Sequence, residues 1–401
     1  MITGIIGKPN TGKSTFFNAV TLLNVPMANY PFTTIKPNFG VAYVRVECVC
    51  RVMGVTDNPV NSRCINGSRL IPVKIIDVAG LVKDASKGRG LGNKFLDDLR
   101  QADALIHVVD ASGSTDEEGR PLDADSNNPI KDIEFVEREF DLWVYQILKR
   151  DWSQMIRSLE GHSEKFSSLL AERLSGLSII ESEIRESIEK ARLQEDSPIN
   201  WSDNDLLHFC TVLREVSKPT VIAANKADLP SSRNNIKELT NSNRLTIPCA
   251  SEAELLLRRA SEKGLIQYIP GDKSIPEYDK SKLSESQKRA LSLVDEQVFR
   301  IYESTGVQDI INSVYLELLD GVVVYPVEDE SKLSDKEGRI LPDSYILKRG
   351  STSKDLASRI HTDLGKTFLY AVDAKKKVRL SADYILQDSD IIKIVATGKR
   401  N

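Results

Sequence analysis

The chain has 401 residues, 40% hydrophobic and 28% charged, with a formal net charge of −4. That length suits two or three domains on the usual scale of roughly 100–200 residues each, and the composition is that of a soluble globular protein. The net charge excludes a global electrostatic attraction to nucleic acid, so any basic surface must be local. No apolar run approaches the ~20 residues needed to cross a bilayer, which excludes a membrane helix, and the N-terminus reads as a strand rather than a signal peptide. The expected place is the cytoplasm. Five cysteines are present, Cys48 and Cys50 in an apolar run and Cys64, Cys210 and Cys249 scattered. None makes a paired zinc-type spacing, so free thiols in a reducing compartment are expected.

Residues 1–6, MITGII, read as a strand, followed by GKPNTGKS at 7–14 and a helix start at 15–20. Strand, G-x-x-x-x-G-K-S loop and helix is the context that a phosphate-binding loop requires. The glycines let backbone N–H groups turn toward a phosphate, and the helix points its positive end at the same place. The predicted phosphate contacts are Asn10, Thr11, Gly12, Lys13, Ser14 and Thr15. Lys13 would reach the β and γ phosphates, and the Ser14 hydroxyl would ligate Mg²⁺. Residues 28–38, ANYPFTTIKPN, carry two prolines and two threonines and read as a mobile loop. In a nucleotide switch this position supplies a threonine to the Mg²⁺ shell; Thr34 is preferred to Thr33.

The run RLIPVKII at 69–76 reads as a strand and ends in Asp77-Val78-Ala79-Gly80. Asp77 would hold Mg²⁺ through water, and the Gly80 N–H would meet the γ-phosphate. Glycines at 88, 90 and 92 imply a flexible second switch, followed by a helix at 93–100 and a buried strand at 104–110. His107 lies inside that apolar run and reads as a core histidine. From about 130 to 193, apolar residues recur at helical spacing between charged ones. Gly161 and His162 mark the tip of an antiparallel, coiled-coil-like hairpin, a projection suited to a partner. Ser202 and Asp205 form a capping box for a further helix through Val216.

A strand at 219–224 then delivers Asn225-Lys226-Ala227-Asp228. A carboxylate at Asp228 would accept from the N1–H and N2 amino group of guanine, whereas adenine would face it with a lone pair. An unpaired buried group costs about 1–3 kcal/mol, so GTP is expected over ATP. Asn225 should tie the base loop to the phosphate loop, and the Lys226 stem should stack over the base. A strand at 244–248 leads to Ala250 and Ser251, where a backbone N–H would meet guanine O6. Helices at 284–319 precede a β-grasp-like α+β module with interleaved basic residues, among them Lys348, Arg349, Lys354, Arg359, Lys366, Lys393, Lys399 and Arg400. RNA contact and a solvated face are both open readings of this modest patch.

The stretches GKPNTGKSTFFNAVT, NYPFTTIKPN, DVAGLVKDASKGRGLGNKFL, NKAD, STGVQDIINSVYLELL and ILKRGSTSKDLASRIHTDLGKTFLYAV together resemble the YchF subfamily of Obg-related P-loop NTPases, nearest its archaeal branch. The resemblance implies an α/β fold: a P-loop G domain with a mainly parallel sheet at 1–112 and 217–317, an inserted helical domain at 113–216 and a C-terminal TGS domain at 318–401. It also implies slow nucleotide hydrolysis coupled to a ribosome or ribosomal RNA partner, contacted through the helical and TGS domains. No DNA or membrane partner is expected, and a monomer is. Relatives often alter N-K-x-D and favour ATP, while this chain keeps it, so the chemistry favours GTP, with a YchF-type ATPase as the alternative. The usual Ser-Ala partner motif is read here as Ala250-Ser251. Many GTPases orient the attacking water with a Gln after D-x-x-G; here Leu81 stands there, and the 111–129 loop lacks the His that some family members are thought to use. The catalytic group is unassigned, and Asn10 is proposed to help bind K⁺ beside the phosphates.

Overall fold

The structure is a computed structural model that describes residues 1–22, 39–78, 99–116, 118–159, 165–275 and 279–397. The expected switch positions Thr34, Gly80 and Leu81, the hairpin tip at Gly161 and His162, and the terminal Lys399 and Arg400 lie outside the described residues.

The first sheet is formed by β1 (Ile2–Ile6), β2 (Phe39–Glu47), β3 (Arg63–Ile65), β4 (Ser68–Asp77), β5 (Ala104–Asp110), β6 (Thr220–Asn225) and β7 (Thr246–Pro248), in the order β2-β4-β1-β5-β6-β7 with β3 also on β4. β1, β4, β5, β6 and β7 run parallel, and β2 and β3 are antiparallel to β4. All seven residues of β5 are buried, as a central parallel strand covered on both faces requires. His107 lies within it, 2% exposed, and burial lowers its pKa to about 4, so this histidine is a neutral core residue. The register aligns Ile5 with Asp77 and Asp110 with Asn225. The carboxyl ends of β4, β5 and β6 therefore present Asp77, Asp110 and Asn225 along one edge, where open α/β sheets bind ligands.

Helix α1 (Lys13–Thr21) follows β1 and buries Phe16, Ala19 and Val20; α2 (Val49–Met53) follows β2. Between β5 and β6 the chain makes a helical excursion. α3 (Pro129–Leu159) is 31 residues long and buries Ile133, Val136, Phe140, Val144 and Leu148 on one stripe. The expected second long arm is instead broken into α4 (Phe166–Leu174) and α5 (Glu181–Lys190), followed by α6 (Asp203–Ser217). The break has a local cause. Ser175, Gly176 and Ser178 are weak helix formers, a 3₁₀ turn spans Ser175–Leu177, and Ser178 sits at φ 57°. Trp152, Phe166, Trp201 and Phe209 fill the space between the arms, with ring centroids 5.4–5.8 Å apart. The Ser202 capping box forms: Asp205 N–H donates to Ser202 Oγ at 3.2 Å, and Ser202 N–H to Asp205 Oδ2 at 2.8 Å.

After β6 come α7 (Ser232–Thr240), α8 (Ser251–Glu262), α9 (Glu285–Val294) and α10 (Val307–Asn312). α10 closes the edge of the sheet. Gln308 Nε2 donates to Tyr43 O at 2.7 Å, while Asn312 accepts from Arg45 N–H and donates to Arg45 O, both at 2.9 Å. Side-chain amides thus pair the backbone groups that β2 presents on its outer side.

The second sheet contains β8 (Gly321–Val327), β9 (Tyr345–Lys348), β10 (Phe368–Asp373), β11 (Val378–Leu380) and β12 (Asp390–Ala396), ordered β11-β10-β12-β8-β9 with β12 parallel to β8. α11 (Ser353–Ile360) and α12 (Thr362–Lys366) follow β9, and Leu356 packs into a core with Val324, Ala371 and Ile392. The two sheets share apolar contacts, because Val323, Tyr325 and Ile391 belong to the same cluster as Ile5, Val44 and Tyr315.

Candidate nucleotide-binding site

The loop between β1 and α1 is shaped by two glycines. Gly7 has φ 146°, and a Cβ there would lie 2.3 Å from Val108 O; Gly12 has φ 97°, and a Cβ there would lie 2.2 Å from Asn225 Nδ2. Only glycine fits either position without displacing backbone or the Asn225 amide. Gly12 caps α1, so Lys13, Ser14 and Thr15 form its first turn. Ser14 is exposed there and Lys13 and Thr15 are half-buried. Burial pushes the Lys13 ammonium below its ordinary pKa, and the Asp77 carboxylate pulls it partly back. Lys13 and Asp77 are thus electrostatic neighbours. Thr11 is buried and donates from Oγ1 to Lys8 O at 3.1 Å. Asn10, at φ 62°, donates from Nδ2 to Gly119 O at 2.8 Å.

The base side is tied to this loop through one residue. Asn225 Nδ2 donates to Thr11 O at 2.9 Å, and its Oδ1 accepts from Ser251 N–H at 3.1 Å and Ser251 Oγ at 2.8 Å. Asn225 is 3% exposed, so all three bonds lie away from water. Lys226 turns through φ 64° and places its ammonium 2.8 Å from Asp110 Oδ2. Asp110 also accepts from the hydroxyls of Ser112 (2.6 Å), Ser114 (3.0 Å) and Thr115 (3.0 Å). Burial raises the Asp110 pKa, but Lys226 and these hydroxyls outweigh it and the net shift is downward. Asp228 behaves oppositely. It is half-buried, burial pushes its carboxyl up, and its own backbone N–H and Lys226 offset only part of that.

The backbone N–H groups at Ala250 and Ser251, expected to meet a base, have partners within the chain. Ala250 N–H donates to Thr305 O at 2.9 Å, and Ser251 N–H is taken by Asn225. Thr305 itself is fixed by Oγ1 donating to Glu254 Oε2 at 2.6 Å, beside Tyr268 OH at 2.7 Å and the Arg258 guanidinium. Nothing in N-K-A-D or C-A-S pointed to this partner, which lies 55 positions downstream of Ala250 in the S-T-G run.

Two further residues escaped the sequence reading. Lys8, 3% exposed, bonds Asp132 Oδ2 at 2.6 Å and Thr115 O at 2.9 Å. This lysine ties the first turn of α3 to the loop between β1 and α1. Asp110 organises the base side; its place as the carboxylate that ends an apolar strand, like Asp77, was the available signal.

The comparisons with known proteins agree with this architecture. Residues 2–138 match the family model described as 50S ribosome-binding GTPase, residues 223–329 an Obg-like GTPase, G4 motif-containing domain, and residues 336–396 the TGS domain. The chain is 49% identical over 398 residues to an uncharacterized GTP-binding protein of Methanocaldococcus jannaschii, covering 99% of each. It is 28% identical over 418 residues to the ribosome-binding ATPase YchF of Bacillus subtilis, covering 98% of each. The crystal structure of a GTP-binding protein from Pyrococcus horikoshii aligns with a TM-score of 0.77 at 42% identity, covering 99% of this chain and 100% of that one. Near-complete coverage by these relatives, on a phosphate loop, a helical excursion and a TGS module in the same order, makes the chain a member of the YchF-type Obg-like GTPases, a family of P-loop nucleoside triphosphatases.

Proposed function

We propose that the chain is a Mg²⁺-dependent switch that binds and hydrolyses GTP and acts with the ribosome in the cytoplasm. The observation that carries this reading is Asn225, which joins the phosphate loop to the loop that bears Asp228 through one buried amide. Lys13 would neutralise β and γ phosphate charge at the positive end of α1. Asp228 would accept from the N1–H and N2 amino group of guanine, and the Lys226 stem, held at its tip by Asp110, would cover the base.

The donors fit Mg²⁺. The Ser14 hydroxyl and the Asp77 carboxylate are hard oxygens, and the downward shift of Lys13 is opposed by Asp77, which places that carboxylate beside the phosphate lysine. Thr34 would complete the set, and Asp77 would act through water. When bound, the ion would offset the negative charge of the phosphates. Gly80 would sense the γ-phosphate. The Asn10 amide is held by Gly119, leaving its oxygen as a donor to K⁺. Loss of the γ-phosphate would release the Thr34 and Gly80 loops and shift the helical excursion relative to the TGS module.

The test is GTP and ATP affinity on one purified sample, with Asp228→Asn beside the wild type. GTP bound at least tenfold tighter, roughly 1.4 kcal/mol, with that margin lost in the variant, supports the assignment; equal affinity removes it. A turnover assay in K⁺ and Na⁺ buffers should favour K⁺ for the wild type and neither for Asn10→Ala. A preference for ATP is the second reading, and the Ala250 N–H favours it, because its bond to Thr305 O withholds a donor that guanine O6 would need. The Bacillus relative is named an ATPase.

The rival of another class is a ribosome-binding adaptor in which turnover is incidental. Leu81 and a 111–129 loop without His favour it. Several basic residues of the TGS module are already paired, Arg349 with Asp320 at 2.7 Å and Lys393 with Glu330 at 2.6 Å, so the patch offered to RNA is smaller than the sequence implies. Pelleting with ribosomes in the GTP-analogue state but not with GDP supports the switch, and equal pelleting in both leaves the adaptor.

A further inference from the structure

Away from the nucleotide site, three of the five cysteines meet on the far side of the sheet. Cys48 directly follows β2, Cys50 lies in α2 and Cys64 in β3. Because β2 and β3 pair with the same end of β4, Val46 and Cys64 both stand opposite Arg69. Cys50 and Cys64, 14 positions apart, are thereby folded into a knuckle, and Asp57 lies on the loop between them. Cys50 Sγ and Cys64 Sγ are 3.9 Å apart, and Cys48 Sγ is 3.1 Å from Asp57 Oδ2. One ligand atom from each of the four residues lies within 4.8 Å of all the others.

These separations suit a tetrahedral ion. With Zn–S bonds of about 2.3 Å, sulfurs on a tetrahedral edge stand about 3.8 Å apart. A disulfide needs about 2.0 Å, so Cys50 and Cys64 are placed as co-ligands rather than as a bond. Three thiolates and one carboxylate form a soft, closed set that leaves no position for water, the signature of a structural zinc rather than a catalytic one.

Asp57 also has the support that a ligand carboxylate needs. Arg69, 0% exposed, lies 2.8 Å from Asp57 Oδ2 and donates to Leu341 O at 2.5 Å and Ser344 Oγ at 3.3 Å, with its guanidinium 5.5 Å from the centre of the Tyr325 ring. A divalent ion with four anionic ligands carries a charge of −2, and Arg69 offsets one unit. The same loop holds the TGS-side segment. Asn58 N–H donates to Ile340 O at 2.8 Å, Val60 N–H to Pro342 O at 2.6 Å, and Asn61 and Ser344 exchange two bonds of 3.0 Å.

We propose that Cys48, Cys50, Asp57 and Cys64 bind a structural Zn²⁺ ion that stiffens the 57–61 loop and so fixes the docking of the C-terminal module on the nucleotide-binding sheet. The C-x-C spacing differs from the C-x₂₋₄-C of common zinc motifs, which is why the sequence alone reads these residues as free thiols.

The test uses the full-length chain, expressed with added zinc and purified reduced without chelator. Elemental analysis should find one zinc per chain, and Co²⁺ exchange should give the intense visible bands of a tetrahedral thiolate site. Cys64→Ser and Asp57→Ala should lower zinc at least tenfold, while Cys210→Ser, buried elsewhere, keeps it. Should Cys64→Ser fail to fold, Asp57→Cys carries the test: four thiolates should slow zinc loss to a chelator at least tenfold relative to wild type. Chelation of the wild type should also speed proteolysis within 328–344. Zinc-free wild type after incubation with excess zinc, full zinc retention by Cys64→Ser, or faster zinc loss from Asp57→Cys would overturn the proposal.

Discussion

The phosphate end and the base end of the site are built by different means. The phosphate end is mainly backbone. Gly12 turns through φ 97°, α1 begins at once, and its first-turn N–H groups would meet a phosphate with few side chains involved. The base end is a side-chain network. Ser251 donates twice to Asn225, Lys226 pairs with Asp110, and Thr305 O takes the Ala250 N–H, at 2.8–3.1 Å, and Asp228, the proposed base reader, sits at the margin. A backbone cradle tolerates change in most neighbouring side chains and fails at its glycines. A network fails wherever a shared member is removed, and Asn225 is shared by both ends.

The largest effect should therefore come from Asn225→Ala. The substitution leaves Thr11 O, Ser251 N–H and Ser251 Oγ without their shared partner, and a buried unpaired group costs about 1–3 kcal/mol. Some relaxation will recover part of that sum, so a stability loss of about 2–4 kcal/mol is expected from chemical denaturation. Affinity for GTP, GDP and ATP should fall together. If only the guanine nucleotides weaken, the amide serves the base end alone and the two ends are not mechanically joined.

Gly12→Ala should come next and act on the phosphate end. The new Cβ meets Asn225 Nδ2 at 2.2 Å in a left-handed backbone, and strain of that kind costs about 1–3 kcal/mol. Calorimetric titration should show all nucleotides weakened about tenfold or more, with the GTP-to-ATP ratio kept. A changed ratio would mean that the strain passes through Asn225 into the base loop and is not contained by α1.

The same contrast explains what could be read from the sequence. The phosphate loop was legible because its signal is short-range: glycine, lysine and serine at fixed spacing between a strand and a helix. The sheet was legible for a similar reason, since 104–110 is a single apolar run. Asn225 as the tie between loops followed from the N-K-A-D order, but the Ser251 groups that donate to it and the partner of the adjacent Ala250 N–H did not. The Thr305 carbonyl that takes the Ala250 N–H comes from a distant loop, and a backbone carbonyl carries no residue signature. Lys8 was passed over because a lysine in a phosphate loop suggests solvent or phosphate, and its buried partner Asp132 lies beyond β5. The helical arm was misjudged at 175–178, where periodicity continues across residues whose backbone preference ends the helix. In each case the missing information was tertiary.

The smallest effect concerns pH and isolates the base end. Burial pushes the Asp228 carboxyl above its ordinary range, with Lys226 opposing. A raised carboxyl protonates at a higher pH than an exposed one, so the carboxylate proposed to read guanine would be lost earlier as pH falls. For stability the sign is opposite: protonation relieves the cost of burying the charge, so this group's contribution to folding improves as pH drops through its folded pKa. GTP affinity should thus decline from pH 7 toward 5 relative to ATP affinity, by less than the tenfold, roughly 1.4 kcal/mol, margin of full substitution. Taking the ratio cancels titration of the phosphates, which both nucleotides share. The neighbouring groups do not confound the window: burial pushes Tyr302 up and Cys249 up to about 12, so both stay neutral. In Asp228→Asn the ratio should be flat. A ratio that falls equally in wild type and variant would place the titrating group elsewhere, and the base end would then lack the carboxylate reader that its network is arranged to hold.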